Sequence, residues 1–571
     1  MNMNVNTDMD MNMDTETALQ AAVTTDLANI TPIPFAPKHL HGLPILQRPS
    51  LTPAERLYWE NYNTTTFFTT DLGKPKALQC HVSTLMLCLL LIYPICLVYN
   101  NNNKNNVKYY ISFLTLNQLL FIISFISLSV YVATFPNSDI WYPHNIYFKV
   151  FTLLFICVTI HYIFSFVLTR SNLIISNLKN EYIALDDLHL NTTALTTHKD
   201  NDHSFDDFVE HDIESLTPPN NGSTDLRHGT NSNLSKHTFD NDNSSIGIKI
   251  MYYFVNFFNL LLLLFMTADF CIGLAIGNLF GKEKRIFNLL AHWIKGGVFV
   301  ILGIVSLGRY CGIGQEYGWA WNPIIFTKKQ LISDGSAPNI LFPRGTITME
   351  GIESGLILLY GSTNVFLEHL AGAGGPWTAK DLQHVSIAFM YIGTGLCGVL
   401  IEIQLNKWRF EKHKELFKNQ IEVGEENEIV AASPGYSPNP FPTLTIFWTG
   451  VLMSQHAQAS NLSTKVHTQW GLLFSYGSFF RLLTYLICYL KPTNNQKPIR
   501  PITELITSFC LICGGVIFME STDQVIEAME YRGFTSLFTC NISVGLSMLL
   551  MAWLMILYMW KQRLARENNK I

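Results

Sequence analysis

MYYFVNFFNLLLLLFMTADFCIGLAIG, residues 251–277, runs for 27 positions with one charged side chain, Asp269. About 20 predominantly apolar residues are enough for a helix to cross the hydrocarbon core of a bilayer, so this stretch reads as a membrane span. The whole chain has the same character. Of its 571 residues 48% are hydrophobic and only 14% charged, with a positive mean hydropathy. A soluble domain carries about a quarter charged residues, so the composition specifies an all-α, polytopic membrane protein. A window of span length picks out eleven runs, near 82–99, 110–133, 146–168, 250–276, 293–308, 351–368, 382–404, 441–456, 469–490, 502–519 and 537–560. The fifth and eighth are short, which makes ten the alternative count.

Between the runs the sequence divides the chain. Residues 1–78 form a polar tail rich in Asn, Asp and Thr, expected to be disordered. Its start, MNMNVNTDMDMNMDTET, has neither a basic nor an apolar segment, so a cleaved signal peptide is not expected. Residues 79–310 form an N-terminal helical module, interrupted at 170–247 by an acidic stretch too polar to bury a core. A connector follows at 311–345, then a second helical module at 346–560 and a basic tail at 561–571. Lys and Arg gather after odd-numbered runs, as in Lys407, Arg409, Lys412 and Lys414, and in the C-terminal tail. The positive-inside bias therefore puts the N-terminus on the exoplasmic side and the C-terminus in the cytosol, against one exception, GKEKR at 281–285. No basic tract of the kind nucleic acid requires is present, and the bilayer is the expected partner. The eleven cysteines show no CxxC spacing, and most lie inside apolar runs.

This topology places seven of the seventeen histidines at one face: His81, His144, His292, His369, His384, His456 and His467. In the second module, Glu368 with His369, then His384, His456, His467 and Glu520 sit at successive helix mouths. Imidazole and carboxylate together suit a transition metal. Taken singly, each of these residues reads as a helix cap or a headgroup-level side chain. Five aligned mouths raise a shared polar or metal site beside that plainer account. In the first module, His81 and His144 lie at the same depth on parallel spans, the disposition that axial ligation of one haem needs; the plainer account is interfacial histidines without a cofactor. Deep charges are fewer: Asp269, Lys295, Arg481 and Glu402. Asp269 and Lys295, on successive spans, fit a buried pair or part of an ion path. Glu350 and Glu353 open the sixth run, where a helix N-terminus favours acid. There is no P-loop, GxSxG or HExxH.

The stretches HWIKGGVFVILGIVSLGRYCG (292–312), EGIESGLILLYGSTNVFLEHL (350–370), DLQHVSIAFMYIGTGLCGVLIE (381–402), SQHAQASNLSTKVHTQWGLLFSYGSFFRL (454–482) and GGVIFMESTDQ (514–524) resemble the fungal YTP-like family of transmembrane proteins. The second half is distantly similar to the animal transmembrane-protein forty-five group. The first loosely resembles the ascorbate cytochromes b of the five-six-one class, whose two histidine pairs are matched here by His81 and His144 alone. The resemblance implies an architecture rather than an activity. The leading expectation is a metal- or haem-linked redox protein; the alternatives are a proton- or metal-ion transporter and a membrane scaffold without chemistry.

Overall fold

The computed structural model describes residues 42–48, 51–100, 104–136, 138–170, 246–327, 347–367, 375–421, 428–431, 437–455, 458–492 and 497–568. The polar tail up to residue 41 and the acidic stretch 171–245 lie outside the described residues. Nine described helices are long and apolar enough to cross a membrane. They are α2 (Pro75–Tyr99), α3 (Lys104–Thr134), α4 (Tyr147–Arg170), α5 (Ile246–Gly277), α6 (Arg285–Cys311), α8 (Ala379–Ile421), α10 (Asn461–Leu490), α11 (Ile502–Glu520) and α13 (Ser536–Asn568). Two further helices complete the set of eleven runs: α7 (Met349–Leu367), which carries two glutamates in its first turns, and α9 (Phe441–Ser454), 14 residues long. The fifth run, short by hydropathy, is a helix of 27 residues, because its first two turns are amphipathic and extend the apolar part. Short helices α1 (Pro53–Glu60) and α12 (Asp523–Arg532) lie outside the spans.

The one departure from an all-helical reading among the described residues is an antiparallel pair, β1 (Ile324–Thr327) with β2 (Glu428–Ala431), in register Ile324 to Ala431. It joins the connector to the segment after α8. α1 begins with a capping box, in which the Thr52 side chain accepts from the Glu55 backbone and Glu55 accepts from Thr52. Those bonds from Thr52 hold the Glu55 carboxyl below its ordinary range.

Helices α2 to α5 pack around Leu85, Tyr93, Leu114, Phe121, Phe151, Leu154, Leu262 and Met266, all nearly or wholly buried. Ile126, Leu119, Phe257 and Leu260 on the same helices face outward, as lipid contact requires. α2 contains a π-helical turn over Cys88–Ile92, just before Pro94. Proline has no N–H for the carbonyl four residues back. The carbonyl so released, that of Leu90, accepts from Trp553 Nε1 of α13 at 2.9 Å. A backbone break in lipid is tolerated only when such a partner is found, and here it comes from the other end of the chain.

α6, which the sequence reading assigns to the N-terminal module 79–310, packs on α11 and is described from here on with the second module, whose helices approach through small residues. At the α6/α11 crossing a Cβ on Gly296 would stand 2.7 Å from the Gly515 carbonyl, and one on Gly515 the same distance from that of Gly296. α6 thus packs on α11, and its lower end meets α13 through Gly308 and Tyr558. Because the helices alternate in direction, the ends of α6, α10 and α13 and the starts of α7, α9 and α11 share one end of the bundle, called the lower end below. Two substitutions test this packing. Gly296→Val forces the backbones apart and is expected to lower stability in detergent by about 1–3 kcal/mol, whereas Gly297→Val, which meets no neighbour within 4 Å, leaves the thermal midpoint unchanged.

Candidate functional site

The lower end of the second module holds a cluster of charges buried out of reach of water. α6 contributes Ser306 and Arg309 from its last turns. α7 contributes Glu350 and Glu353, three residues apart and hence on one face. α10 contributes Arg481, and α11 contributes Glu504 and Ser508. Arg309 Nη2 donates to Glu350 Oε1 at 3.0 Å, and its Nη1 lies 4.0 Å from Glu353 Oε1. Arg481 Nη1 donates to both oxygens of Glu353, at 3.1 and 3.4 Å. Its Nη2 donates to Glu504 Oε1 at 2.5 Å, and the Ser306 hydroxyl donates to the same oxygen at 2.6 Å. Ser508 Oγ donates to Ser306 Oγ at 2.9 Å. Glu350 Oε2 and Glu504 Oε2 are buried without a hydrogen-bond partner.

The connector seals this cluster. After the left-handed Gly312, Gly314 and Gly318, the chain inserts Trp321, fully buried, with its ring centroid 4.0 Å from the Arg309 guanidinium carbon and 5.9 Å from that of Arg481. Arg309 Nε donates to the Trp319 carbonyl at 2.7 Å. Trp321 itself has φ 61, a conformation that bulky residues avoid; the Asn322 amide, bonded to the Gln315 carbonyl at 2.9 Å, holds the turn. Beside it stands a second buried pair. Arg409 donates to Glu402 at 2.5 and 3.3 Å and to the Ser437 carbonyl at 2.7 Å, while the Thr348 hydroxyl donates to Glu402.

In the sequence Glu402 reads as a deep charge and Arg409 as part of the basic bias, and three residues of the five-charge cluster carry other readings. Glu350 and Glu353 read as helix-dipole acids and Arg481 as a deep charge, while Arg309 and Glu504 carry no reading of their own from the sequence. The available signal was that all five fall at ends or turns that an alternating topology places on the same side. Removing one partner of a buried ion pair strands the other, at a cost of about 3–5 kcal/mol. Arg481→Leu, which strands two carboxylates, is therefore expected to lower the thermal midpoint in detergent severely. Glu350→Gln, which removes a charge from the side that has one too many, is expected to lower it far less, and a scan of both variants against the parent protein checks the asymmetry.

The predicted histidines are distributed otherwise. His369, His456 and Glu368 lie outside the described residues. At the upper end, His292 and His467 meet edge to face with ring centroids 5.8 Å apart, beside Trp470 and Phe518. Each has its Nδ1 on the carbonyl four residues back, Asn288 at 2.9 Å and Ser463 at 2.8 Å. Glu520 accepts from the Ser543 hydroxyl at 2.9 Å on both oxygens. His384 lies half-buried near the start of α8. Among the described residues no three His, Cys, Asp or Glu side chains gather closely enough to hold a metal ion. In the first module His144 is exposed. His81 is buried with both ring nitrogens engaged, Nδ1 with Ser124 Oγ at 2.8 Å and Nε2 with the Tyr147 hydroxyl at 2.8 Å. The polar group beside Asp269 is that same Tyr147 hydroxyl.

Two families match this chain. Residues 265–562 match the family described as Protein YTP1-like, C-terminal, and residues 61–171 match a domain of unknown function, DUF2427. The uncharacterized membrane protein YCR061W of Saccharomyces cerevisiae is 48% identical, over 95% of this chain and 91% of its own length. The uncharacterized membrane protein C3B8.06 of Schizosaccharomyces pombe is 38% identical, over 53% of this chain and 57% of its own. Protein YTP1 of Saccharomyces cerevisiae is 23% identical, over 49% of each chain. No solved structure matches. With the helical architecture, these matches make the chain a multi-pass membrane protein of the YTP1-like family.

Proposed function

We propose that this protein is a proton-coupled metal-ion transporter, in which the Glu350, Glu353 and Glu504 cluster takes and releases the proton. The observation that carries this is the charge balance: three carboxylates face two guanidiniums, all five between 0% and 6% exposed. A lone charge at membrane depth costs about 3 kcal/mol on insertion scales, and a proton on one carboxylate removes that cost. Ser306 and Ser508, hydrogen-bonded in line with Glu504, offer the proton a route. Releasing it restores the surplus negative charge and sets the carboxylates against one another. Since the five groups belong to α6, α7, α10 and α11, protonation and helix arrangement are thermodynamically linked, which is what coupled transport needs.

The cargo side is the opposite end of the bundle, where His292 and His467 meet and Glu520 stands. The Lys and Arg bias supports reading that end as exoplasmic and the charge cluster as cytosolic. Packing of α6 on α11 argues that the transporting module begins at Arg285, with α2 to α5 as a separate bundle.

Two measurements test the reading. In vesicles with a pH-sensitive dye trapped inside, added Zn, Mn, Cu or Fe ions should speed collapse of an imposed pH gradient, and Glu353→Gln or Glu504→Gln should abolish the effect. Collapse at the rate of protein-free vesicles with every ion would end the proposal. Elemental analysis then separates transport from a resident redox centre. A cargo ion is lost on desalting, whereas a redox metal stays at a fixed ratio to protein and disappears in His384→Ala combined with His467→Ala.

A further inference from the structure

A cavity of about 110 Å³ opens at the upper end of the first bundle, between all four of its helices. Its lining includes Leu78 in the first turn of α2, Tyr131 in the last turn of α3 and Gly277 at the end of α5. The cavity thus lies where the spans meet the lipid headgroups. The segment before α2 covers it. Phe67 N donates to the Gly277 carbonyl at 3.0 Å, and the Tyr131 hydroxyl donates to the Phe67 carbonyl at 3.3 Å. The Phe68 ring occupies the room that a side chain on Gly277 would fill. Phe68 and Val132 belong to the lining and are also exposed, so the cavity is reached from outside.

The rings of Phe67, Phe68, Tyr131, Phe135, Phe148 and Phe270 line the cavity beside aliphatic side chains, and among the described residues no charged side chain lines it. The polar groups on its wall are already engaged. His81 Nε2 meets the Tyr147 hydroxyl at 2.8 Å, and Asn145 Oδ1 accepts from Tyr147 N at 3.0 Å. One acid stands behind this wall. Asp269 is four residues before Gly273, which does line the cavity, and the Tyr147 hydroxyl lies beside both. Asp269 is fully buried, and no cationic side chain pairs with it among the described residues. A carboxylate at membrane depth calls for a positive counter-charge, and its field carries through surroundings as weakly polarisable as these rings.

The wall selects the kind of cation. A primary ammonium brings three N–H groups that each need an acceptor, and the acceptors here are taken. A metal ion such as calcium or magnesium needs several oxygen ligands, which an aromatic and aliphatic wall does not supply. A quaternary ammonium has no N–H to satisfy, and aromatic rings are the surface that recognises it. Size agrees. An apolar cavity of about 150 Å³ takes benzene, with its six heavy atoms, so about 110 Å³ suits the four or five of a trimethylammonium group. We infer that this cavity binds the trimethylammonium group of a choline compound, free choline or the headgroup of a phosphatidylcholine, with Asp269 as its counter-charge. The site owes nothing to the charge cluster of the second module, so neither reading depends on the other.

The full-length protein in a maltoside detergent, which carries no ammonium group, is titrated with four probes while its thermal midpoint is followed. The probes are choline, dihexanoyl phosphatidylcholine, dihexanoyl phosphatidylglycerol, and dimethylbutanol with a tert-butyl group in place of the cation. A ligand that binds the folded state raises the midpoint. Choline or phosphatidylcholine is expected to raise it, and the phosphatidylglycerol and the neutral alcohol to leave it unchanged. A response to phosphatidylcholine alone names the lipid as the source, and a response to choline names the free solute. Phe68→Leu, which removes one ring from an exposed position, is expected to weaken binding about tenfold. Asp269→Asn, which keeps side-chain shape, is expected to weaken it at least as much, and Val132→Trp, which fills the mouth, to abolish it. Phe68→Leu keeps the test decisive even if Asp269→Asn fails to fold. A midpoint that neither choline compound raises overturns the site. So does an equal response to the neutral alcohol, which would mark a merely apolar cavity, or undiminished binding in Phe68→Leu.

Discussion

A charge removed from water into hydrocarbon has to find its opposite, and in this protein that requirement organises the second module. Arg309, Glu350, Glu353, Arg481 and Glu504 come from four helices, and each guanidinium is tolerable where it lies only with the carboxylates that face it. Satisfying them sets which ends of α6, α7, α10 and α11 converge. It also explains why the connector turns back over the bundle to lay Trp321 on the two guanidiniums. The glycine contacts at Gly296 and Gly515 then let α6 and α11 come close enough for Ser306 to reach Glu504. Close helix packing and charge neutralisation are parts of one arrangement.

The first module meets the same solvent with different means. It neutralises little, since Asp269 is its one deep acid, and instead lines its interior with hydroxyls, amides and two imidazoles. Where the backbone is broken by Pro94, the repair comes from Trp553 in the last span, so the two bundles are tied through the carbonyl of Leu90.

Much of the architecture was legible in the order of residues. Apolar runs of span length, set off by polar stretches, indicated eleven helices. Their alternation put His292 and His467 at one end, where their rings meet. The candidate site was much less legible. His81 stood out because a histidine at a helix mouth suggests a ligand, yet its nitrogens are engaged by Ser124 and Tyr147, which lie 43 and 66 residues away. Asp269 and Lys295, on successive spans, read from sequence as a buried pair or as part of an ion path. The polar neighbour that Asp269 has is Tyr147 from α4, since α5 packs into the first bundle and α6 into the second.

Hydropathy, length and basic-residue bias act locally along the chain, so the sequence alone determined that this is a polytopic helical membrane protein and which residues share each end. The identity of each buried group's partner depends on which helices become neighbours and how they are rotated, and no local pattern encodes that. Glu350 is three residues from Glu353, but it is paired with Arg309, and Glu353 with Arg481, across 41 and 128 residues of chain. Only the tertiary structure decided those pairings, because in a medium without water the energy of a charge is set by whatever lies within a few ångströms of it.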